Sequence, residues 1–199
     1  MSWNRWVKAL AMGLCGCLLL SFCGFQAACE DIADRVLRLH ILAASDSEED
    51  QALKLKVRDA ILQATGDQMG GFTDKEEALN AVQALLPTVK TVAERCLRQY
   101  GCTDTVKAEL CNMYFTTRHY DGGTMPAGYY DAVRVTIGEA QGRNWWCVLF
   151  PPMCVAGAQE PAVDDVLTEA QTDIVTHPER YEVRFKLVEW FYDLCNWFA

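Results

Sequence analysis

The sequence predicts an α+β protein with an antiparallel sheet of about four strands and helices packed on it, in the order β-α-α-β-β-β-α. In three segments apolar and polar residues alternate, as they do in half-buried strands. In other segments apolar residues recur every three to four positions, as in amphipathic helices. Residues 145–150 are apolar on both faces, which is typical of a strand covered on both sides.

The N-terminal segment predicts export. Arg5 and Lys8 precede an uncharged, apolar stretch over residues 9–29, and small residues follow its most apolar part. The stretch is also long enough to remain in a bilayer. We therefore expect residues 1–28 to be a signal peptide or an N-terminal membrane anchor, with transient membrane association through this segment.

The charge balance restricts the partners of the exported part. The chain has 18 Lys and Arg residues against 27 Asp and Glu residues, a net charge of −9, and loss of residues 1–28 would leave −11. Nucleic-acid binding needs basic surface that neutralises phosphates, so the composition argues against a nucleic-acid partner. The same acidic charge repels anionic lipid surfaces.

The first elements of the exported part are one strand and two helices. Residues 36–43 predict a half-buried strand with Arg38 and His40 on its polar face. Apolar stripes then predict helices over residues 47–65 and 73–100.

Three further strands follow the helices. Alternation predicts strands over residues 106–115 and 133–137, separated by a Gly- and Pro-rich loop at 116–128. The doubly apolar strand at 145–150 ends at a Pro-Pro pair, because proline cannot donate to a sheet ladder.

The last part of the chain is mixed and then aromatic. Residues 156–177 are polar and predict a linker or a short helix, and residues 178–199 predict an amphipathic helix. The expected organisation is therefore a signalling domain over residues 32–155, a linker over 156–177 and a C-terminal amphipathic helix.

The cysteines predict a disulfide rather than a metal site. Of the ten cysteines, three lie in the export segment, and the remainder of the chain contains no C-x2-C pair of the kind that holds zinc or carries thioredoxin-like chemistry. Export permits disulfides, and Cys147 and Cys154 are the candidate pair. The alternative is that both are small buried apolar residues.

No catalytic, cofactor-binding or metal-binding residue is predicted. Ser45 and Ser47 are the only serines beyond the export segment, and neither lies in a G-x-S-x-G motif. The sequence contains no H-E-x-x-H motif and no Gly-rich phosphate loop. An exported thiol enzyme that uses Cys147 with His119 remains an alternative.

The tryptophan-rich run at residues 144–154 and the aromatic final helix each allow two interpretations. Tryptophan is enriched in interface anchors, but strands buried on both faces have the same composition. In one interpretation the final helix packs on the sheet, and in the other it contacts a partner or a membrane. A structural envelope module that docks through this helix is a further alternative.

Three blocks of sequence resemble the stage II sporulation protein R family. They are Arg38-Leu39-His40-Ile41-Leu42-Ala43-Ala44-Ser45-Asp46-Ser47 with the helix over 49–59, then Pro126-Ala127-Gly128-Tyr129-Tyr130-Asp131-Ala132-Val133-Arg134-Val135, and then Ile137-Gly138-Glu139 with residues 142–154. The chain departs from the family pattern at Ala44, at Thr116 and in the linker after residue 155.

The resemblance implies an intercellular signal of endospore formation. Such proteins are made in the forespore and exported into the intermembrane space of the septum. There they activate a membrane-embedded aspartic protease of the mother cell, which processes pro-sigma-E. The resemblance supplies no catalytic residue. Chemistry and loop position suggest these partner-binding residues: Arg118, His119, Tyr120, Arg134, Asn144, Trp145 and Trp146.

Overall fold

The computed structural model describes residues 3–66, 72, 74–120, 123–153 and 163–198. Its elements, in chain order, are α1 (Trp3–Arg35), β1 (Leu37–Leu42), α2 (Glu48–Thr65), α3 (Lys75–Gln99), β2 (Val106–Phe115), β3 (Arg118–Tyr120), β4 (Gly123–Met125), β5 (Gly128–Ile137), β6 (Asn144–Phe150), α4 (Val163–Val166), α5 (Glu169–Thr176) and α6 (Glu182–Phe198). The predicted α+β class, with four strands in the main sheet, is confirmed.

The main sheet is mixed, which corrects the expectation of a purely antiparallel sheet. The strand order is β2-β5-β1-β6, and β1 and β5 run parallel. The pairs β2–β5 and β1–β6 are antiparallel. Parallel neighbours require a long crossover connection, and α2 and α3 form most of the connection between β1 and β5.

Helices α2 and α3 cover one face of the sheet. Leu37, Leu39 and Ile41 of β1 are fully buried there and pack with apolar residues of both helices, such as Val57 and Ala93. Local sequence explains where the two helices begin. The side chains of Ser47 and Asp74 accept hydrogen bonds from backbone N–H groups in the first turns. This face is the first core.

The opposite face carries a second core formed by the end of α1, α5 and α6. Ile32 of α1, Val175 of α5 and Val188 of α6 are buried against Tyr130 and Val148 of the sheet. The predicted linker at 156–177 is therefore partly helical, because α5 has an apolar side to bury; residues 156–162 lie outside the described residues.

Part of the predicted loop at 116–128 is a small hairpin. Strands β3 and β4 pair with each other and form a separate two-stranded sheet. Gly123 in β4 has φ +145°, and a Cβ atom there would lie 2.7 Å from Cγ1 of Val175. A glycine at this position therefore lets the hairpin approach α5 closely.

Helix α1 is one continuous helix that enters the second core at its C-terminal end. The segment Arg5–Arg35 is long and apolar enough to cross a membrane, and its most apolar window is not buried within the protein. Phe25, Cys29 and Ile32, in contrast, are buried. The predicted division into a leader and a domain at residue 28 stays a prediction, but the helix continues across it.

Candidate functional site

A polar patch lies in the middle of the sheet, on the face that carries the second core. His40 of β1 is paired with Arg134 of β5 on one side and with Trp146 of β6 on the other. Residues paired across neighbouring strands project from the same face of a sheet. Asn144 lies two residues before Trp146, and Arg38 lies two residues before His40, so both share this face.

The polar side of β1 is buried, which corrects the prediction of a half-buried strand. Arg38 and His40 were expected on a polar face, but Arg38 is fully buried and His40 is nearly so. The reason is that β1 lies inside the sheet and that aromatic side chains of β2, β5 and β6 surround its polar residues.

The His40 imidazole is held by a stack and a hydrogen bond. Its ring is parallel to the indole of Trp146, with ring centroids 4.0 Å apart. Nε2 lies 3.1 Å from Oδ1 of Asn144 and donates to it, which leaves Nδ1 as the acceptor of the neutral ring. Nδ1 is buried and has no hydrogen-bond partner among the described residues.

Burial and three guanidinium groups keep His40 neutral. Burial is the largest cause that lowers the pKa of His40, to about 4, and the positive charges of Arg134, Arg38 and Arg118 lower it further. The hydrogen bond with Asn144 acts in the opposite direction but is outweighed. At neutral pH the positive charge of the patch therefore resides on the arginines.

Arg38 is a buried cation surrounded by aromatic rings. Its guanidinium carbon lies 4.1 Å from the ring centroid of Phe115 and 4.8 Å from that of Tyr130, at cation–π distance. Nη2 donates a hydrogen bond to the hydroxyl of Tyr120. Nε and Nη1 are buried, and neither has a partner in the described part of the chain. A buried N–H group without an acceptor is costly, so this arrangement is unusual for a purely structural residue.

Arg118 and Arg134 complete a group of three arginines. The guanidinium carbon of Arg118 lies 5.1 Å from the ring centroid of Trp146, and the side chain of Arg134 is 39% exposed. Within the described ranges, the buried Nε atoms of both arginines lack a hydrogen-bond partner. We call Arg38, Arg118 and Arg134, with His40 and Trp146, the arginine site.

The arginine site is short of negative charge. Among the described residues, Glu109 is the one acid that forms an ion pair with it, at 3.9 Å from Arg134. Glu109 also pairs with Lys107 at a shorter distance of 2.7 Å. The site therefore holds an excess of positive charge in a chain whose net charge is −9.

The structure brings five of the seven predicted partner-binding residues to this site. Arg118, Arg134 and Trp146 belong to the site itself, and Tyr120 and Asn144 accept hydrogen bonds from Arg38 and His40. Their role in binding a partner stays a prediction. Arg38 and His40 were not among the seven, although a signal for them existed: two polar residues alternate with leucines in the strand that precedes α2.

The other two predicted residues lie elsewhere. His119 points away from its neighbours in β3, as strand alternation requires, and its Nδ1 lies 2.8 Å from Oγ1 of Thr124. Trp145 projects from the opposite face to Trp146, packs against the first core and lies under the guanidinium of Arg58 at 4.4 Å.

Cys147 is buried and disulfide-bonded. Cys154 lies outside the described residues, so the predicted pairing with it stays a prediction. The other described cysteines are free. A thiolate nucleophile requires a reduced and accessible thiol, so the state of Cys147 counts against the alternative of a thiol enzyme. Within the described ranges, no group of three His, Cys, Asp or Glu side chains is arranged to hold a metal ion.

Fold and site define a class: an α+β protein with a membrane-length N-terminal helix and a buried cationic site on its sheet. The chain belongs to the stage II sporulation protein R family, whose model matches residues 33–160. It is 33% identical to stage II sporulation protein R of Bacillus subtilis (strain 168) over 187 aligned residues, which cover 83% of this chain and 84% of the relative. No solved structure matches the chain.

The family gives the protein a role in sporulation. Together with the apolar helix α1, it is consistent with a secreted or membrane-associated protein. The matched residues 33–160 include every member of the arginine site.

Proposed function

We propose that this protein is an exported signal of endospore formation. In this proposal it passes from the forespore into the intermembrane space of the septum and activates a membrane-embedded aspartic protease of the mother cell. The protease then processes pro-sigma-E. Membership in the stage II sporulation protein R family supports the role in sporulation, and helix α1 provides the segment that export requires.

The arginine site is the observation that carries the proposed mode of action. A signal that performs no chemistry acts through binding, and its binding surface needs groups that the free protein leaves without partners. Arg38, Arg118 and Arg134 each have a buried nitrogen atom with no acceptor in the described part of the chain. We therefore place the contact with the receptor at this site.

Activation requires that the signal distinguish two states of the receptor. A ligand shifts a conformational equilibrium only by the difference between its affinities for the two states. The signal would therefore bind the active, assembled protease more tightly than its resting form, and contacts at the arginine site would supply that difference.

Co-expression of the full chain, the protease and pro-sigma-E in a bacterium that does not sporulate tests the proposal. We expect processing only when all three are present, and a strong reduction with Arg134→Gln. Arg98→Gln is the matched control, because it removes the same charge from an exposed position on α3. Processing that does not depend on this chain would refute the proposed function.

A structural envelope module is the second candidate, and the exposed aromatic residues of α6 favour it. Trp190 and Trp197 are 65% and 76% exposed. Deletion of residues 178–199 would not test this role cleanly, because Phe185 and Val188 belong to the second core. Trp190→Ala with Trp197→Ala leaves that core intact. The envelope role predicts that this double variant, although still anchored through α1, loses chemical cross-links between α6 and the envelope without loss of pro-sigma-E processing.

A further inference from the structure

We infer that the arginine site binds the carboxylate of an acidic side chain, Asp or Glu, on the partner protein. The inference rests on the proposed function in one respect, namely that the partner is the receptor protease. The chemistry of the ligand, in contrast, follows from the site itself and is tested separately.

The first argument is the set of unsatisfied donors. Nε and Nη1 of Arg38 and Nε of Arg118 and Arg134 are buried and lack acceptors among the described residues. A guanidinium offers only donors, so each of these groups needs an oxygen atom that the site does not provide. Burial of a donor without an acceptor destabilises the folded protein, and a ligand oxygen removes that penalty.

The second argument is charge. Arg38 and Arg118 form no ion pair with an acid in the described ranges, and the Arg134–Glu109 contact is long, at 3.9 Å. Asp131 of β5 does not supply this charge, because it is paired with Leu37 on the first-core face and accepts from Lys75 there at 2.8 Å. An anionic ligand would supply the missing negative charge.

The third argument concerns the shape of the anion. A guanidinium is planar and binds the two oxygens of a carboxylate through two parallel hydrogen bonds. The flat ring of Trp146 contacts both the His40 ring, with centroids 4.0 Å apart, and the Arg118 guanidinium, at 5.1 Å from the indole centroid. An Asp or Glu side chain brings a planar anion on an apolar stem, and the stem can pack against the indole.

A lipid phosphate is a less favourable ligand for this chain than a protein carboxylate. The chain carries a net charge of −9, which repels an anionic membrane surface. A single acidic side chain on a protein loop can reach the positively charged site by itself. An anionic membrane would bring many negative headgroups close to the rest of this acidic chain.

The site is open at one side. Arg134 is partly exposed and Asn144 is exposed, whereas Arg38 is fully buried. The incoming carboxylate would contact Arg134 first and would then accept from the unpartnered N–H groups of the buried Arg38. Arg134 is therefore the residue whose substitution tests binding with the least damage to the core.

Nuclear magnetic resonance of the full chain in uncharged detergent micelles tests the ligand chemistry. The probes are N-acetyl-glutamate methylamide, its neutral glutamine analogue and inorganic phosphate. We expect the glutamate compound to shift the signals of the His40 ring and the Trp146 indole in a saturable way. The glutamine analogue should bind at least tenfold more weakly, because it lacks the negative charge.

Variants make the test specific. Arg134→Gln should weaken binding of the glutamate probe about tenfold, and Arg134→Lys should weaken it less, because it keeps the charge and loses the planar fork. Arg98→Gln should leave binding unchanged. Equal shifts with the glutamine analogue, or tighter binding of phosphate than of the glutamate probe, would overturn the inference.

The same variant separates this inference from the proposed function. If Arg134→Gln abolishes pro-sigma-E processing and the glutamate probe does not bind, the carboxylate inference fails and the signalling proposal stands. If the probe binds and processing is insensitive to Arg134→Gln, the carboxylate site stands and the proposed receptor contact fails.

Discussion

The imidazole of His40 lies flat on the indole of Trp146, with ring centroids 4.0 Å apart and an angle of 3° between the ring planes. The two residues are paired across the β1–β6 ladder, so their backbones fix the stack. Phe115 adds an edge contact to the same indole at 4.7 Å. Trp146 is thus held in one orientation, with Arg118 on it.

Adjacent tryptophans are expected to have different roles. Trp145→Ala should lower the free energy of unfolding by roughly 2 kcal/mol or more, because Trp145 packs on the first core. Trp146→Ala should reduce pro-sigma-E processing well beyond the reduction in folded protein. Urea unfolding and the co-expression assay, performed on both variants, measure the two effects. Equal processing per folded molecule for the two variants would contradict the assignment.

Arg38 is expected to lower the stability of the folded protein and to be required for pro-sigma-E processing. Arg38→Met keeps an unbranched side chain and removes a buried charge that no acid in the described chain neutralises. We expect the free energy of unfolding to stay level or rise by about 1–3 kcal/mol, since replacement of buried charges by apolar groups is often stabilising. Processing should be lost.

Denaturant titration checks the stability of Arg38→Met, with the exposed Arg98→Met as control, which should change it by less than about 0.5 kcal/mol. A stability loss above about 2 kcal/mol in Arg38→Met would show instead that its aromatic contacts make Arg38 a structural residue.

Sequence patterns predicted the positions of the helices and strands better than they predicted which strands pair with each other. Period-two alternation located β1, β2 and the second half of β5, a run that is apolar on both faces located β6, and period 3.6 located α2, α3 and α6, because these signals are local. The parallel pairing of β1 with β5 was missed, since alternation does not encode which strand lies beside which.

Only part of the arginine site was predicted, because local patterns do not show which strands lie inside the sheet. Loop position and residue type identified Arg118, Arg134 and Trp146. Arg38 and His40 looked solvent-facing, because their burial depends on β1 being an interior strand and on aromatic residues far away in the sequence, such as Phe115.

Acid should destabilise the fold through His40. The pKa of His40 is lowered from the ordinary 6.5 to about 4 in the folded protein, so the unfolded chain binds more protons between these values. The contribution of His40 to the free energy of unfolding is fully present above pH 6.5. It is lost as the pH falls towards 4, and the loss is about 3 kcal/mol at most.

Comparison with His40→Gln isolates this effect. The pKa values of Asp131 and Glu189 are also lowered, so their stabilisation is lost in acid as well, but equally in both proteins. From pH 7 to pH 4 the free energy of unfolding of the unsubstituted chain should therefore fall more steeply than that of His40→Gln. Parallel curves would contradict the depressed pKa.

The disulfide of Cys147 is expected to stabilise the domain and to carry no chemistry. Mass spectrometry of the unreduced protein should link the peptides that contain Cys147 and Cys154. The double variant Cys147→Ala with Cys154→Ala should lose about 2 kcal/mol of stability, because the short closed loop restricts the unfolded chain. Processing per folded molecule should be unchanged. Complete loss of processing in a variant that still folds would support the alternative of a thiol enzyme.

Phe25 joins the apolar N-terminal helix to the folded domain. Its ring stacks on Tyr181 with centroids 5.5 Å apart and contacts Phe185 at 5.6 Å, although it precedes the expected cleavage site. Phe25→Ala should lower the free energy of unfolding by about 3 kcal/mol, whereas the exposed Leu20→Ala should not change it.

Cleavage after residue 28 would remove Phe25 and expose the second core, so we expect α1 to be retained as an anchor in the working protein. A chain that starts at residue 29 should lose at least as much stability as Phe25→Ala, and the protein isolated from sporulating cells should keep its apolar N-terminal segment by mass spectrometry. Equal stability of the shortened and full chains would mean that α1 is a removable signal peptide, since the second core would then not depend on Phe25.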